Sequence, residues 1–228
     1  MSAFDIQKWL RIFDYKNIES FLRSEKGKGT MGDALGRVAV SQLIYEIPSS
    51  LISVLKMMAG GAAAGAAAGA VLTGGLGIVA LAFGVVFDLI IIVVLLLVMN
   101  GTQHFIAGML GGKGKYEDLL HLDSLSTAAM NLANIVALVP EFIAVLPGPG
   151  AMIGGAMGLL LIPFSLLLVA YTLYVTYLTV KINYNLETGR AAAAVVLNFV
   201  LWIAIAVALI LALAATMGAT LSGLASSG

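Results

Sequence analysis

Several stretches of this chain are long enough to cross a lipid bilayer yet carry no charge. Residues 142–180 and 191–217 hold no Asp, Glu, Lys or Arg. At about 1.5 Å of rise per residue, roughly 20 apolar residues in a helix span a hydrocarbon core about 30 Å thick. Apolar residues make up 61% of the 228 and charged residues 11%, against about 45–50% and about 25% in a soluble domain. A soluble globule of this size has too much surface for its volume to hide that apolar area, so lipid must take the place of water. Barrel strands alternate in polarity over about ten residues, and no such alternation runs through the chain. The expected fold class is all-α: a polytopic integral membrane protein with five transmembrane helices and an amphipathic N-terminal cytosolic segment.

Residues 1–29 read as that cytosolic head and its linker, and residues 30–228 as the transmembrane domain. Ile6, Trp9, Leu10 and Phe13 fall at i, i+3, i+4, i+7 spacing, and Ile18, Phe21 and Leu22 form a shorter stripe. Two readings of the head stay open: a helix packed on the rest of the protein, or one lying among lipid headgroups with Trp9 and Phe13 as interfacial anchors. No apolar segment ending in a cleavage site opens the chain, so no secretory signal is expected. Lys26-Gly-Lys-Gly29 reads as a flexible linker. Thr30 and Asp33 have capping-box spacing and predict a helix from Met31 to about Ala59, kinked at Pro48. The spans are expected at about 38–59, 76–99, 125–146, 151–180 and 191–217. Residues 100–122 read as a polar connection, Pro147-Gly-Pro-Gly150 as a turn, and Lys181–Arg190 as a short loop. Gly61, Gly65 and Gly69, four apart in a Gly/Ala run, would let a neighbouring helix approach closely if that run is helical.

Charge sets the orientation. Lys8, Arg11, Lys16, Arg23, Lys26, Lys28, Arg37, Lys113, Lys115, Lys181 and Arg190 all fall on one side of a five-span chain. Lys56 alone lies near the other side. This predicts a cytoplasmic N-terminus and an outside C-terminus, in the cell membrane of a prokaryote or the ER and Golgi of a eukaryote.

The chain has no cysteine, which excludes disulfides, thiolate catalysis and zinc-thiolate sites. A net charge of zero gives no field for nucleic acid. Gly111-Gly-Lys-Gly-Lys115 fails the Walker pattern, with Ala107 and Gly114 where Gly and Ser/Thr are required. No catalytic, cofactor-binding or metal constellation is expected. The polar residues inside the spans carry more weight. Asp88 lies about 18 Å from the inner end of the second span, where an ionisable group costs at least about 2.5–3.5 kcal/mol. It reads either as a group hydrogen-bonded to Asn131, Asn134 or Asn198, or as a functional carboxyl. Glu46 and Glu141 sit nearer span ends. Tyr171, Tyr174 and Tyr177 line the inner end of the fourth span as an interfacial belt.

The segment His104-Phe-Ile-Ala-Gly-Met-Leu-Gly-Gly-Lys-Gly-Lys-Tyr116, followed by the small residues of 124–129, resembles the Yip (Ypt/Rab-interacting protein) domain family. Asn185-Leu-Glu-Thr-Gly-Arg-Ala191 is similar to that family's loop before its last span. Phe4-Asp-Ile-Gln-Lys-Trp-Leu10 resembles archaeal-looking members. The resemblance implies five spans and an inside N-terminal segment. Eukaryotic members act in vesicle traffic and bind small GTPases and one another. The Asp-Leu-Tyr-Gly-Pro-type motif of their N-terminal region is absent here, and Met130 stands where they carry a proline. The resemblance therefore does not extend to small-GTPase binding. The function expected is a non-enzymatic scaffold or adaptor that organises or shapes the membrane. Its partners are the bilayer and other membrane proteins or further copies of itself. The alternative is a small oligomeric channel or transporter using Asp88.

Overall fold

A computed structural model describes residues 5–59 and 76–226, and every regular element among them is helical. Gly61, Gly65 and Gly69 lie outside the described residues. The elements are α1 (Ile6–Leu10), α2 (Ile18–Glu25), α3 (Met31–Ala59), α4 (Leu76–Met109), α5 (Tyr116–Asn134), α6 (Leu138–Val145), α7 (Gly150–Tyr184) and α8 (Thr188–Ser226). Five segments are long and apolar enough to cross a membrane: Met31–Lys56, Ala82–Met109, Tyr116–Val145, Gly150–Tyr184 and Thr188–Thr216. The third combines α5 and α6 through a 3-10 turn at Ile135–Ala137. The protein is an all-α polytopic membrane protein.

The spanning helix α3 begins where its cap dictates. The Asp33 amide donates to Thr30 Oγ1 at 3.1 Å and the Thr30 amide to the Asp33 carboxylate at 3.2 Å, so two otherwise orphaned donors are satisfied reciprocally. The helix runs on through Pro48. At the far end, Gly148 takes a φ of +78° in the turn between α6 and α7, the conformation glycine adopts without steric cost.

Two connections are shorter than hydropathy suggests. The α4 helix continues ten residues past the expected end of its span, and α5 starts at Tyr116, leaving only residues 110–115 between them. Between α7 and α8 only residues 185–187 are non-helical, and Asn185 ends α7 in the left-handed region at φ 51°. The helices run on past the expected ends of their spans because polar residues there are buried in the bundle. Asn100, Gln103, His121, Thr179 and Asn183 are all at least nine-tenths buried. The glycine-rich loop is held by this packing: Asn183 Nδ2 donates to the Lys115 carbonyl at 2.9 Å. A Cβ built on Gly114 would lie 2.7 Å from the Asn183 carbonyl oxygen. Gly114→Ala should therefore lower thermal stability by about 1–3 kcal/mol, the usual cost of overpacking, measured by unfolding in detergent. An unchanged midpoint would mean the loop is free.

The head is docked. Trp9, Ile12, Ile18, Phe21 and Leu22 form one core with Leu122, Leu125, Ala128 and Ala129 of α5 and Val175, Leu178 and Ile182 of α7. Trp9 is 1% exposed, which corrects its assignment as an interfacial anchor. The expected stripe also shifts: Ile6 and Leu10 stay exposed while Ile12 is buried. The cause is the 3-10 turn at Arg11–Phe13, whose three residues per turn place Trp9 and Ile12 on one line. The linker is pinned too. Lys26 Nζ donates to the Ile182 and Asn183 carbonyls, both at 2.8 Å, and the Gly27 amide donates to Asp118 at 3.1 Å.

Candidate functional site

The helices are well packed near the head and loosely packed away from it. Beyond Leu96 on α4, and along the far halves of α7 and α8, large apolar side chains such as Phe83, Leu160 and Leu211 are exposed, as suits lipid contact. The polar residues therefore divide into those tied into the bundle and those facing outward.

Glu46 accepts from Gln42 Nε2 at 2.9 Å. Asn131 Nδ2 donates to Ser41 Oγ and to Gln42 Oε1, both at 3.1 Å. These four residues join α3 to α5. Glu141 accepts from Lys56 Nζ at 2.9 Å, half exposed on both sides, so Lys56 pairs across helices. Asn198 Oδ1 accepts from Thr102 Oγ1 at 2.7 Å, and Trp202 Nε1 donates to the same Thr102 oxygen at 3.1 Å. Asn134 is exposed at the end of α5.

Asp88 is exposed on α4, flanked by exposed Phe87 and Ile91, and makes no hydrogen bond to any described residue. The expectation of a hydrogen bond to Asn131, Asn134 or Asn198 is corrected. Asn131 and Asn198 are engaged elsewhere, and Asp88 points away from the packed interior.

The aromatic residues of α7 also differ from a simple belt. The Tyr171 hydroxyl donates to the Ile12 carbonyl, and its ring stacks on Phe13 with centroids 6.1 Å apart. Both therefore clasp the head. Tyr174 is 44% exposed, and Lys181 Nζ lies 5.9 Å over the Tyr177 ring, an arrangement compatible with a headgroup-level position.

At the head end a cavity of about 320 Å³ opens between the helices. All five spanning helices contribute: Val38 from α3, Asn100 and Gln103 from α4, Asp123 and Thr127 from α5, Thr172 and Thr176 from α7, and Asn198 from α8. Asn100 Nδ2 donates to Asp123 Oδ2 at 2.9 Å and to the Leu96 carbonyl at 3.0 Å. Gln103 is 3% exposed, and both of its amide atoms are buried without a hydrogen-bond partner. No Lys, Arg or His lines the cavity. Sequence reasoning missed Asn100 and Gln103 because it placed residues 100–122 in a connection. The signal was there: Asn100, Gln103 and Ala107 stand at i, i+3, i+7 and face inward together.

Beside the cavity, a charged cluster fastens the head. Lys8 pairs with Glu25, whose side chain is 6% exposed, and Lys28 Nζ lies 3.5 Å from the same carboxylate. His121 Nε2 is 3.6 Å from Glu25. Arg37, buried in α3, donates to Ser124 Oγ and, at 3.3 Å, to the His121 carbonyl. Burial by itself raises the pKa of Glu25. The hydrogen bond and charge of Lys8, with Lys28 behind it, outweigh that and hold the carboxyl below its ordinary value.

Comparison with protein-family models, with curated proteins and with solved structures finds no match for this chain.

Proposed function

We propose that this protein is a non-enzymatic membrane scaffold or adaptor of the Yip-domain type. It organises or shapes the bilayer and recruits other membrane proteins, with its head on the cytoplasmic side. The observation that supports this reading over a channel or transporter is the position of Asp88. A conduction path within one chain would need that carboxyl to face a cavity. It stands instead on the exposed side of α4 and does not line the head-end cavity. Glu46 and Glu141 are occupied by Gln42 and Lys56. The head supports recruitment, because its outward side leaves Arg11, Lys16 and Arg23 exposed beside Leu10 and Tyr15. The eleven-to-one distribution of Lys and Arg supports its cytoplasmic placement.

Liposome flux tests the reading. Purified protein should show no ion or proton flux attributable to it, and Asp88→Asn should behave as wild type in folding and in the membrane partners it co-purifies from native membranes. A reproducible flux that Asp88→Asn abolishes would overturn the scaffold and promote an oligomeric channel. Stability gives a second check. Asp88 has no partner to orphan among the described residues, so Asp88→Leu should leave the fold intact. It should also favour insertion by about 2.5–3.5 kcal/mol.

A further inference from the structure

We propose that the head-end cavity is a binding site for an amphiphilic organic ammonium ion, a protonated amine carried on a hydrocarbon body. Gln103 provides the first reason. Its side chain lines the cavity, both polar atoms of its amide are buried and unpartnered among the described residues, and buried polar groups in folded proteins almost always have a partner. A partner for that amide can enter from the cavity. It must accept from the amide nitrogen or donate to the amide oxygen.

Asp123 fixes the sign of the charge. One of its carboxylate oxygens accepts from Asn100, and no other hydrogen bond to it comes from a described residue. No cationic side chain lines the cavity, so the chain itself supplies no counter-charge. An ammonium supplies the counter-charge that lets this buried carboxyl ionise, and an anion does not. An ammonium group brings the missing positive charge and three donors into a cavity whose lining includes Asp123, Gln103, Thr127 and Thr176. The remaining wall is apolar: Val38, Ile92, Leu95, Leu96, Met99 and Leu119. Leu95 and Met99 are each 42% exposed on the outer side of α4, so the apolar wall reaches the surface that lipid covers. A hydrocarbon body thus has a surface to lie on and a path in from the bilayer. The volume of about 320 Å³ falls at the lower end of the range for small-molecule sites.

Three probes of one shape test this: 2-phenylethylammonium, 3-phenylpropionate and 2-phenylethanol. Each is titrated into the full chain in nanodiscs of zwitterionic lipid, with empty nanodiscs as the baseline. The ammonium should bind saturably, one per chain, and the anion and the alcohol at least about tenfold more weakly, the difference expected for one charge-assisted hydrogen bond. Asp123→Asn keeps the side-chain size and Gln103→Leu removes the amide. Each should weaken the ammonium by about tenfold or more. No saturable binding above empty discs would overturn the proposal and leave a cavity filled by water alone. Equal binding of the anion or the alcohol would overturn it too, as would full affinity in a folded Asp123→Asn protein. Where that variant does not fold, the comparison of the three probes on the wild type decides.

Discussion

Replacing Glu25 by alanine is expected to release the head from the bundle, at a cost of about 3–5 kcal/mol. Glu25 and its partner Lys8 are both largely withdrawn from water, with side chains 6% and 13% exposed. Removing one member of such a pair takes a counter-charge from a group largely withdrawn from water, which is why the cost exceeds the worth of the pair itself. Lys28 and His121 face the same carboxylate, so the loss leaves several groups without their common acceptor. Trp9 reports the outcome directly, because it is buried where the head meets α5 and α7. In a Trp202→Phe background, Glu25→Ala should shift Trp9 emission to the red and lower the unfolding midpoint. Acid should act in the same direction. Glu25 is held below its ordinary value of 4.5, so the folded state binds its proton less readily than the unfolded state. Its contribution is complete above about pH 4.5 and is lost as pH falls through that value and then through the lower folded one. Glu25→Gln should remove this acid-dependent part of the Trp9 signal. An emission maximum that stays blue in Glu25→Ala would show that the apolar contacts alone hold the head.

Gly29→Ala is expected to be damaging as well, for a steric reason. A Cβ at Gly29 would stand 1.7 Å from His121 Nδ1 and 2.1 Å from its Cγ. The His121 ring is 2% exposed and walled in, so it cannot swing aside freely. Overpacking of this kind costs about 1–3 kcal/mol and sometimes more. The cause can be isolated by a double substitution. Neither ring nitrogen of His121 has a hydrogen-bond partner among the described residues, so His121→Ala loses packing and a weak pairing with Glu25. Gly29→Ala should then be far less costly in the His121→Ala background than alone, a coupling that two contacting residues must show. Simple addition of the two costs would mean that the ring is not what excludes a side chain at position 29.

Hydropathy located the five crossings because lipid selects for long apolar runs, and the Thr30–Asp33 pair located the start of α3 because capping is local chemistry. Hydropathy could not say where the helices stop. It marks the edge of the lipid, whereas α4 ends where Gly111 turns the chain at a φ of +90°. Between those points Asn100 and Gln103 are polar yet buried, a combination that an apolar count reads as loop. Trp9 was ambiguous for a similar reason: an amphipathic stripe serves a protein surface as well as a membrane surface. The 3-10 turn that moved Ile12 into its line leaves no periodic signal over three residues. Asp88 was legible as an intramembrane carboxyl. That it has no partner among the described residues was not, because pairing depends on which face of α4 meets the bundle.

The five-crossing topology can be read most directly from two single cysteines in this cysteine-free chain. Lys113, exposed between α4 and α5, is a better reporter than Gly114, whose Cβ would meet Asn183. Ser226 is the last residue of α8. With an impermeant thiol reagent on intact cells, Ser226→Cys should react and Lys113→Cys should react only after permeabilisation. Both sites reacting from the same side would contradict five crossings, and exchange of the two patterns would contradict the cytoplasmic head.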